Sequence, residues 1–214
     1  MAQRPAYSIF NGTVREKPYF FEWFSGFAVS QKQKSIASLH GAILRSDSKA
    51  NPLEISTKSQ NPLGVKLSAF NLKLQGYPLE NIFQSSKVFT NGGAYRDLLD
   101  VPPKEAKRDE RLKNSGALKG FSFDGEDFPL EPKTLFYDFI YINAVRESLS
   151  KEEIQEIAKY THFTDIEFNP QKSINTQARS TAIIKLMLEM YGEIPDLNKE
   201  EFLQFHQDFV ILPK

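Results

Sequence analysis

The sequence predicts an α+β fold, predominantly helical, in a single domain with a small β component. Three observations carry that expectation. Apolar residues recur at helical spacing in several segments, Ile36, Leu39, Ile43 and Leu44 among them. Capping-box pairs stand at Ser150/Glu153 and Asn198/Glu201. Alternation suited to strands is confined to a few short stretches. The chain has 214 residues, and one of this size buries about 70% of its unfolded surface without help from disulfides or metals.

In chain order, residues 18–29 (PYFFEWFSGFAV) form a dense aromatic segment, strand or irregular, at the rim of the core. Ser30 with Gln33 has capping-box spacing and opens the first helix. His40 lies beside its apolar stripe, where a hydrogen-bonded boundary residue is the simplest reading. Residues 46–52 are a polar loop ending at Asn51-Pro52, and Leu53–Ser59 alternates as a short strand. A turn follows at Asn61-Pro62-Leu63-Gly64, and residues 67–74 suit a second strand. Gly76 and Pro78 punctuate the chain before a helix from Glu80 to Phe89, which Asn91-Gly92-Gly93 ends. A short helical stretch runs to Asp100, and residues 104–113 (KEAKRDERLK) read as a solvated helix. Phe121–Leu130 turns as a hairpin at Asp124-Gly125. Asp124, Glu126 and Asp127 lack calcium-loop spacing. Residues 133–147 are apolar around most of a helix and are expected at the centre of the core. Ser150 opens a helix to about Tyr160, a long helix runs from about Asn175 to Tyr191 before Gly192, and Asn198 starts the last one.

Composition narrows the function classes. Lys+Arg and Asp+Glu are both 27, which excludes a general nucleic-acid coat protein but leaves room for a local basic patch. Cys is absent, so disulfide frameworks and cysteine zinc sites are excluded. The segment MAQRPAYSIF lacks a signal-peptide layout, and no apolar run approaches the roughly 20 residues that span a bilayer. A cytoplasmic location without membrane contact is expected. The 18 Phe and 8 Tyr supply rings for the core, with some left to stack on a base.

At about 100° per residue, Glu80, Gln84 and Lys87 share a stripe about 60° wide on the predicted helix, opposite Leu79, Ile82, Phe83, Ser86 and Phe89. Pattern alone makes this an amphipathic surface helix with a solvated Glu–Lys edge. The neighbouring segments say more. The chain reads PLGVKLSAF at 62–70, LQGYPLENIFQSSKVF at 74–89 and PKEAKR at 103–108. In order and spacing these resemble the NADAR, or YbiA-like, family at Gly64, Ser68, Phe70, Gly76, Glu80, Phe83, Gln84, Lys87, Phe89, Glu105, Ala106 and Lys107. Ala69 and Asn81 replace the family's Asn and His. A Trp-Gly segment has no counterpart, and Thr164–Phe168 stands in its place. Asn175 and Arg179 answer the family's terminal stretch. With GFAVSQKQKSIASLH, the chain looks closer to the branch encoded beside DarT-class DNA ADP-ribosyltransferase toxins.

The resemblance implies a YbiA-like fold, with residues 1–50 an N-terminal extension packed on a catalytic domain at 51–214. It implies an N-glycosidase that removes ADP-ribose from guanine in DNA, single-stranded or flipped, and so acts as antitoxin to a cognate toxin. The alternatives are an N-glycosidase acting on phosphorylated riboflavin-pathway intermediates, or a non-catalytic module binding ADP-ribose or the toxin. The chemistry calls for no metal or cofactor. It needs a carboxylate to stabilise charge at the sugar C1 or to activate water, which points to Glu80 first and Asp165 second. A lysine could hold phosphate or form an imine, and Lys87 and Lys58 are the candidates. Substrate contacts are expected from Gly64, Ser68, Phe70, Phe83, Gln84, Trp23, Lys107 and Arg108. The diphosphate is expected at Lys104–Arg108 or Lys32–Lys34, and a base on Phe20, Trp23 or Phe24.

Overall fold

Asn11 and Gly12 have φ of 50° and 70°, the positive values that a two-residue hairpin turn demands and that Asn-Gly tolerates. They join β1 (Ala2–Phe10) to β2 (Thr13–Phe21), paired from Ala2↔Phe21 to Phe10↔Thr13. The computed structural model describes residues 1–171 and 173–211. The chain divides into two units, Met1–Ser68 with Leu149–Lys214, and Ala69–Ser148.

In the first unit, α1 (Val29–Ser46) starts two residues earlier than the Ser30 capping box predicts. The extended residue before it, Ala28, offers its carbonyl to the N–H groups of Gln31 and Lys32, so the backbone itself fixes the start. Ile36, Leu39 and Ile43 pack with Ala6, Tyr19, Phe21 and Ile166, whereas Leu44 is exposed. The strand expected over 53–59 is only β3 (Pro52–Glu54). Beyond it the backbone turns, with Ser59 N–H donating to the Ser56 carbonyl. The expected turn at Asn61–Gly64 is the start of α2 (Pro62–Lys66), where the Asn61 side chain accepts from Leu63 N–H and Pro62 sits in the first turn.

The second unit opens with β4 (Lys73–Leu74) and β5 (Tyr77–Pro78), a two-strand ribbon. Helix α3 (Leu79–Ser85) then stops short of the predicted Phe89. Lys87–Phe89 is instead β6, with β7 (Gly92–Gly93) turned back beside it, so Asn91-Gly92-Gly93 belongs to a hairpin and not to a helix end. A 3₁₀ helix (Arg96–Leu99) precedes α4 (Pro103–Ala106) and α5 (Arg111–Asn114). These two short helices replace the single one expected over 104–113. Asp109 lies at the break, its carboxylate accepting from the Arg111 N–H and guanidinium. β8 (Leu118–Phe123) and β9 (Glu126–Phe128) form the predicted hairpin, with Asp124 at φ 53°. The sheet order is β7-β6-β8-β9. α6 (Leu135–Ser148) buries Phe136, which stacks on Phe121 at 4.5 Å and meets Phe128 at 5.0 Å.

The chain returns to the first unit with α7 (Lys151–Ile157), β10 (His162–Thr164), α8 (Gln177–Tyr191) and α9 (Lys199–Phe209). Both predicted capping boxes form, and Gly192 ends α8 in the left-handed conformation. β10 completes a sheet of order β2-β1-β10-β3, antiparallel to β1 and parallel to β3. The α+β class holds, but "predominantly helical" is corrected: helix accounts for 42% and strand for 20%. The strands missed lie in the first twenty residues and around the short helix α3.

Candidate active site

The polar residues of the Glu80 stripe do converge, although they do not share a helix. Glu80 is in the first turn of α3 and Gln84 one turn on, while Lys87 is the first residue of β6. Gln84 Nε2 donates to Glu80 Oε1 at 2.7 Å, and Lys87 Nζ donates to Gln84 Oε1 at 2.7 Å. Only this orientation of the amide satisfies both neighbours. Lys107, at the end of α4, brings Nζ to 3.7 Å from Glu80 Oε1. Glu80 Oε2 has no partner among the described residues. The site therefore offers one pinned carboxylate with an open oxygen, one shielded amine and one exposed amine.

Lys87 is held over the Phe83 ring at 4.8 Å. Burial lowers its pKa below the ordinary lysine value; the Glu80 charge opposes that and Lys107 adds to it. Phe83 itself packs on Phe121, Phe136 and Tyr137, so it supports the lysine more than it awaits a ligand. Asn81, where the family carries His, is fully buried. Its Nδ2 donates to the carbonyls of Leu98 and Val101, both at 2.7 Å, which ties α3 to the segment leading into α4. Phe70 is 63% exposed. Lys104, Glu105 and Arg108 are exposed too, and of this charged run only Lys107 reaches Glu80.

The remaining predicted site residues belong to the first unit. Lys58 lies on the loop after β3, not on the strand, and its Nζ donates to Thr57 Oγ1. Gly64 is needed for packing: a Cβ there would collide with the Glu54 carbonyl and the Ser59 hydroxyl. Ser68 is fully buried, and its Oγ has no hydrogen-bond partner among the described residues. The Trp23 ring carries Lys32 Nζ at 4.6 Å and Arg4 at 5.4 Å. Those cations occupy surface that a base would need. Lys34 lies 6.0 Å from the Phe24 ring, and Phe20 is exposed.

Asp165 is buried and caps a turn, its Oδ1 accepting from the N–H groups of Glu167 and Phe168. Beside it is a residue the sequence reading passed over. Glu54 is buried on β3, with Oε1 accepting from Ile166 N–H at 2.8 Å and Oε2 from the Thr164 hydroxyl at 2.6 Å. Thr164 Oγ1 also meets His40 Nε2 at 2.9 Å. Burial raises the pKa of both carboxyls, and each is raised further by a neighbouring carboxylate. Burial pushes His40 down to about 4. A carboxylate flanked by Leu53 and Ile55 was the one available signal for Glu54. Among the described residues, no group of three or more His, Asp or Glu is placed to hold a metal, and no helix is long and apolar enough to cross a membrane.

The α+β fold thus links a carboxylate to a desolvated lysine through one glutamine. The chain belongs to the DarT1-associated NADAR antitoxins, whose family pattern matches residues 2–212. The match takes in the β1–β2 hairpin and α1 as well as the Glu80 segment. No curated protein matches the chain.

Proposed function

We propose that this protein is an N-glycosidase that removes ADP-ribose from guanine bases of DNA and thereby counteracts a DNA ADP-ribosyltransferase toxin. The observation that carries this reading is the Glu80–Gln84–Lys87 chain with Lys107 at its rim. In the reaction, water oxygen bonds to the ribose C1 as the C1–N bond breaks. The base departs with the bonding pair and gains a proton. Positive charge grows at C1 along the way. Glu80 meets that charge, or takes the proton of the attacking water, through its open oxygen. Gln84 fixes the carboxylate, so little reorganisation accompanies the charge. Lys107, exposed and flexible, suits the diphosphate. Lys87, its amine desolvated, can instead attack C1 of the opened sugar; the C1–N bond to guanine breaks, the base leaves with a proton, and water then hydrolyses the resulting imine to free the sugar and restore the amine. Lys58, in the other unit, is the second lysine to vary. A modified guanine must leave the base stack to reach such a site, which favours single-stranded or flipped substrate. The antitoxin family supports modified DNA over a small metabolite.

The test is turnover of an oligonucleotide carrying ADP-ribosylated guanine. Glu80→Gln keeps the shape and the Gln84 contact but removes the charge, and kcat is expected to fall roughly a hundred- to ten-thousand-fold. Wild-type turnover by that variant would end the role given to Glu80. Unchanged substrate with stoichiometric wild-type protein would end the glycosidase reading, and preference for a small ribosyl phosphate would move it to metabolism.

A further inference from the structure

We propose that a cavity in the Ala69–Ser148 unit, apart from the Glu80 cluster, binds a guanine base. It has a volume of about 220 Å³ and is lined by the turns of the β4–β5 and β8–β9 hairpins, the 3₁₀ helix and α3. Ile82 and Phe123, both buried, supply its apolar part. Ile82 lies about 160° around α3 from Glu80 at 100° per residue, so the cavity faces away from the carboxylate site. Its polar groups are Gln75, Tyr77, Arg96 and Asp124.

Arg96 is exposed and has no hydrogen bond or ion pair with any described residue. The contrast with Arg111 is sharp, since Asp97 and Asp109 both claim that guanidinium. Asp124 likewise has no cation beside it among the described residues; its one side-chain contact is Gln75 Nε2, at 3.4 Å from Oδ2. The cavity thus presents a guanidinium and a carboxylate that do not neutralise each other. A phosphate or carboxylate ligand would meet Asp124, and a cation would meet Arg96. A neutral heterocycle with an acceptor edge and a donor edge satisfies both.

Guanine has that pairing. O6 and N7 accept from a guanidinium, and N1–H with the N2 amine donates to a carboxylate. Adenine offers the carboxylate only its N6 amine. Tyr77 is 36% exposed and gives a ring for the base plane. Drug-sized ligands occupy roughly 300–1,000 Å³, so about 220 Å³ suits one base and excludes a dinucleotide. The base can come from a free guanine nucleotide or from an unmodified guanine in a strand. The strand source rests on the glycosidase reading, because an enzyme acting on a modified guanine would hold a neighbouring base here. Binding itself does not depend on that reading.

The experiment is an NMR titration of the full-length protein with guanosine, inosine and adenosine monophosphates, and with an oligothymidylate carrying one guanine. Guanosine monophosphate is expected to shift the Arg96 and Asp124 signals. The inosine nucleotide, which lacks the N2 amine, should bind about tenfold more weakly, in line with one lost hydrogen bond to a charged group. Arg96→Ala and Asp124→Asn should each weaken the guanine nucleotide about tenfold or more, by the same reasoning. Asn tolerates the positive φ of residue 124, so the turn survives. Glu80→Gln should leave this binding unchanged. Tighter binding of the guanine oligonucleotide assigns the site to a strand, and binding of the mononucleotide alone assigns it to free nucleotide. Equal affinity for the three nucleotides, or wild-type affinity in Arg96→Ala, would overturn the proposal. Loss of turnover in Glu80→Gln with guanine binding intact separates this site from the glycosidase reading.

Discussion

Acid should withdraw the contribution that His40 makes to the stability of this protein. His40 Nε2–H donates to Thr164 Oγ1, and the Thr164 hydroxyl donates onward to Glu54. The imidazole therefore sits neutral in a buried chain, and burial holds its pKa at about 4 against 6.5 when free. The sign follows from that order. The folded-state pKa lies below the unfolded one, so the unfolded chain takes up the proton first. The stabilising contribution is complete above pH 6.5, is lost as pH falls toward about 4, and is constant below. The shift of about 2.5 pH units, at about 1.4 kcal/mol per unit, makes the full loss about 3 kcal/mol. About 2 kcal/mol of that should be gone by pH 5. Glu54 and Asp165, the nearby carboxyls, have raised pKa values and act with the opposite sign. They are present in both proteins when the wild type is compared with His40→Gln, which keeps an N–H toward Thr164 but cannot titrate, so to first order they cancel. Urea unfolding followed by the single tryptophan, Trp23, gives the difference in stability at each pH. A difference that stays flat from pH 7.5 to 5, or one that moves in the wild type's favour, would refute the reasoning.

Two further predictions concern the Glu80 site and its neighbouring unit. Because Glu80 raises the Lys87 pKa and Lys107 lowers it, the pH profile for reductive methylation of Lys87 should move to lower pH in Glu80→Gln and to higher pH in Lys107→Ala; mass spectrometry of the Lys87 peptide reads both, and shifts in the same direction would contradict the assignment. Gly64→Ala should cost about 2 kcal/mol or more, since the added methyl meets the Glu54 carbonyl and Ser59, and an unchanged urea midpoint would show that α2 moves aside freely.

What could be read from the sequence had its cause nearby. The Ser150 and Asn198 caps, the Gly192 stop and the Asp124-Gly125 turn depend on contacts within a few residues, and each was legible. The β1–β2 hairpin was legible in principle through Asn11-Gly12, but the mixed pattern of β1, with Pro5, Ala6 and Tyr7 all buried, hides the alternation. The end of α3 was not legible. Lys87–Phe89 is a strand because it pairs with Phe121, Gly120 and Leu118, partners some thirty residues ahead that no local propensity announces. The polar stripe nonetheless named three residues that the structure links by hydrogen bonds. A spacing of three places Lys87 near Gln84 whether the chain continues as helix or leaves it through Ser86, so the clustering was legible although its scaffold was not. Glu54 escaped notice because a charged residue in a short strand reads as surface until the groups that satisfy it, Thr164 and the Ile166 N–H, are brought in from the far end of the chain.

Those groups also separate the carboxylates by use. Glu54 and Asp165 are both buried, and backbone N–H groups and side chains consume their acceptor oxygens. A carboxyl in that state is buried and holds β3, β10 and the turn after it together. Glu80 is the reverse case. One oxygen is fixed by Gln84 and approached by Lys107, the other is open, and the side chain is 17% exposed. The fold has already met the entropy cost of orienting the charge, while leaving the charge uncommitted, which is the condition for electrostatic catalysis. The same contrast distinguishes the lysines. Lys87 is shielded and burial lowers its pKa, whereas Lys107 is open to solvent, so only the first has an ammonium that its surroundings disfavour. Of the two candidate carboxylates, Glu80 keeps an oxygen open to a ligand, whereas Asp165 is buried and caps a turn.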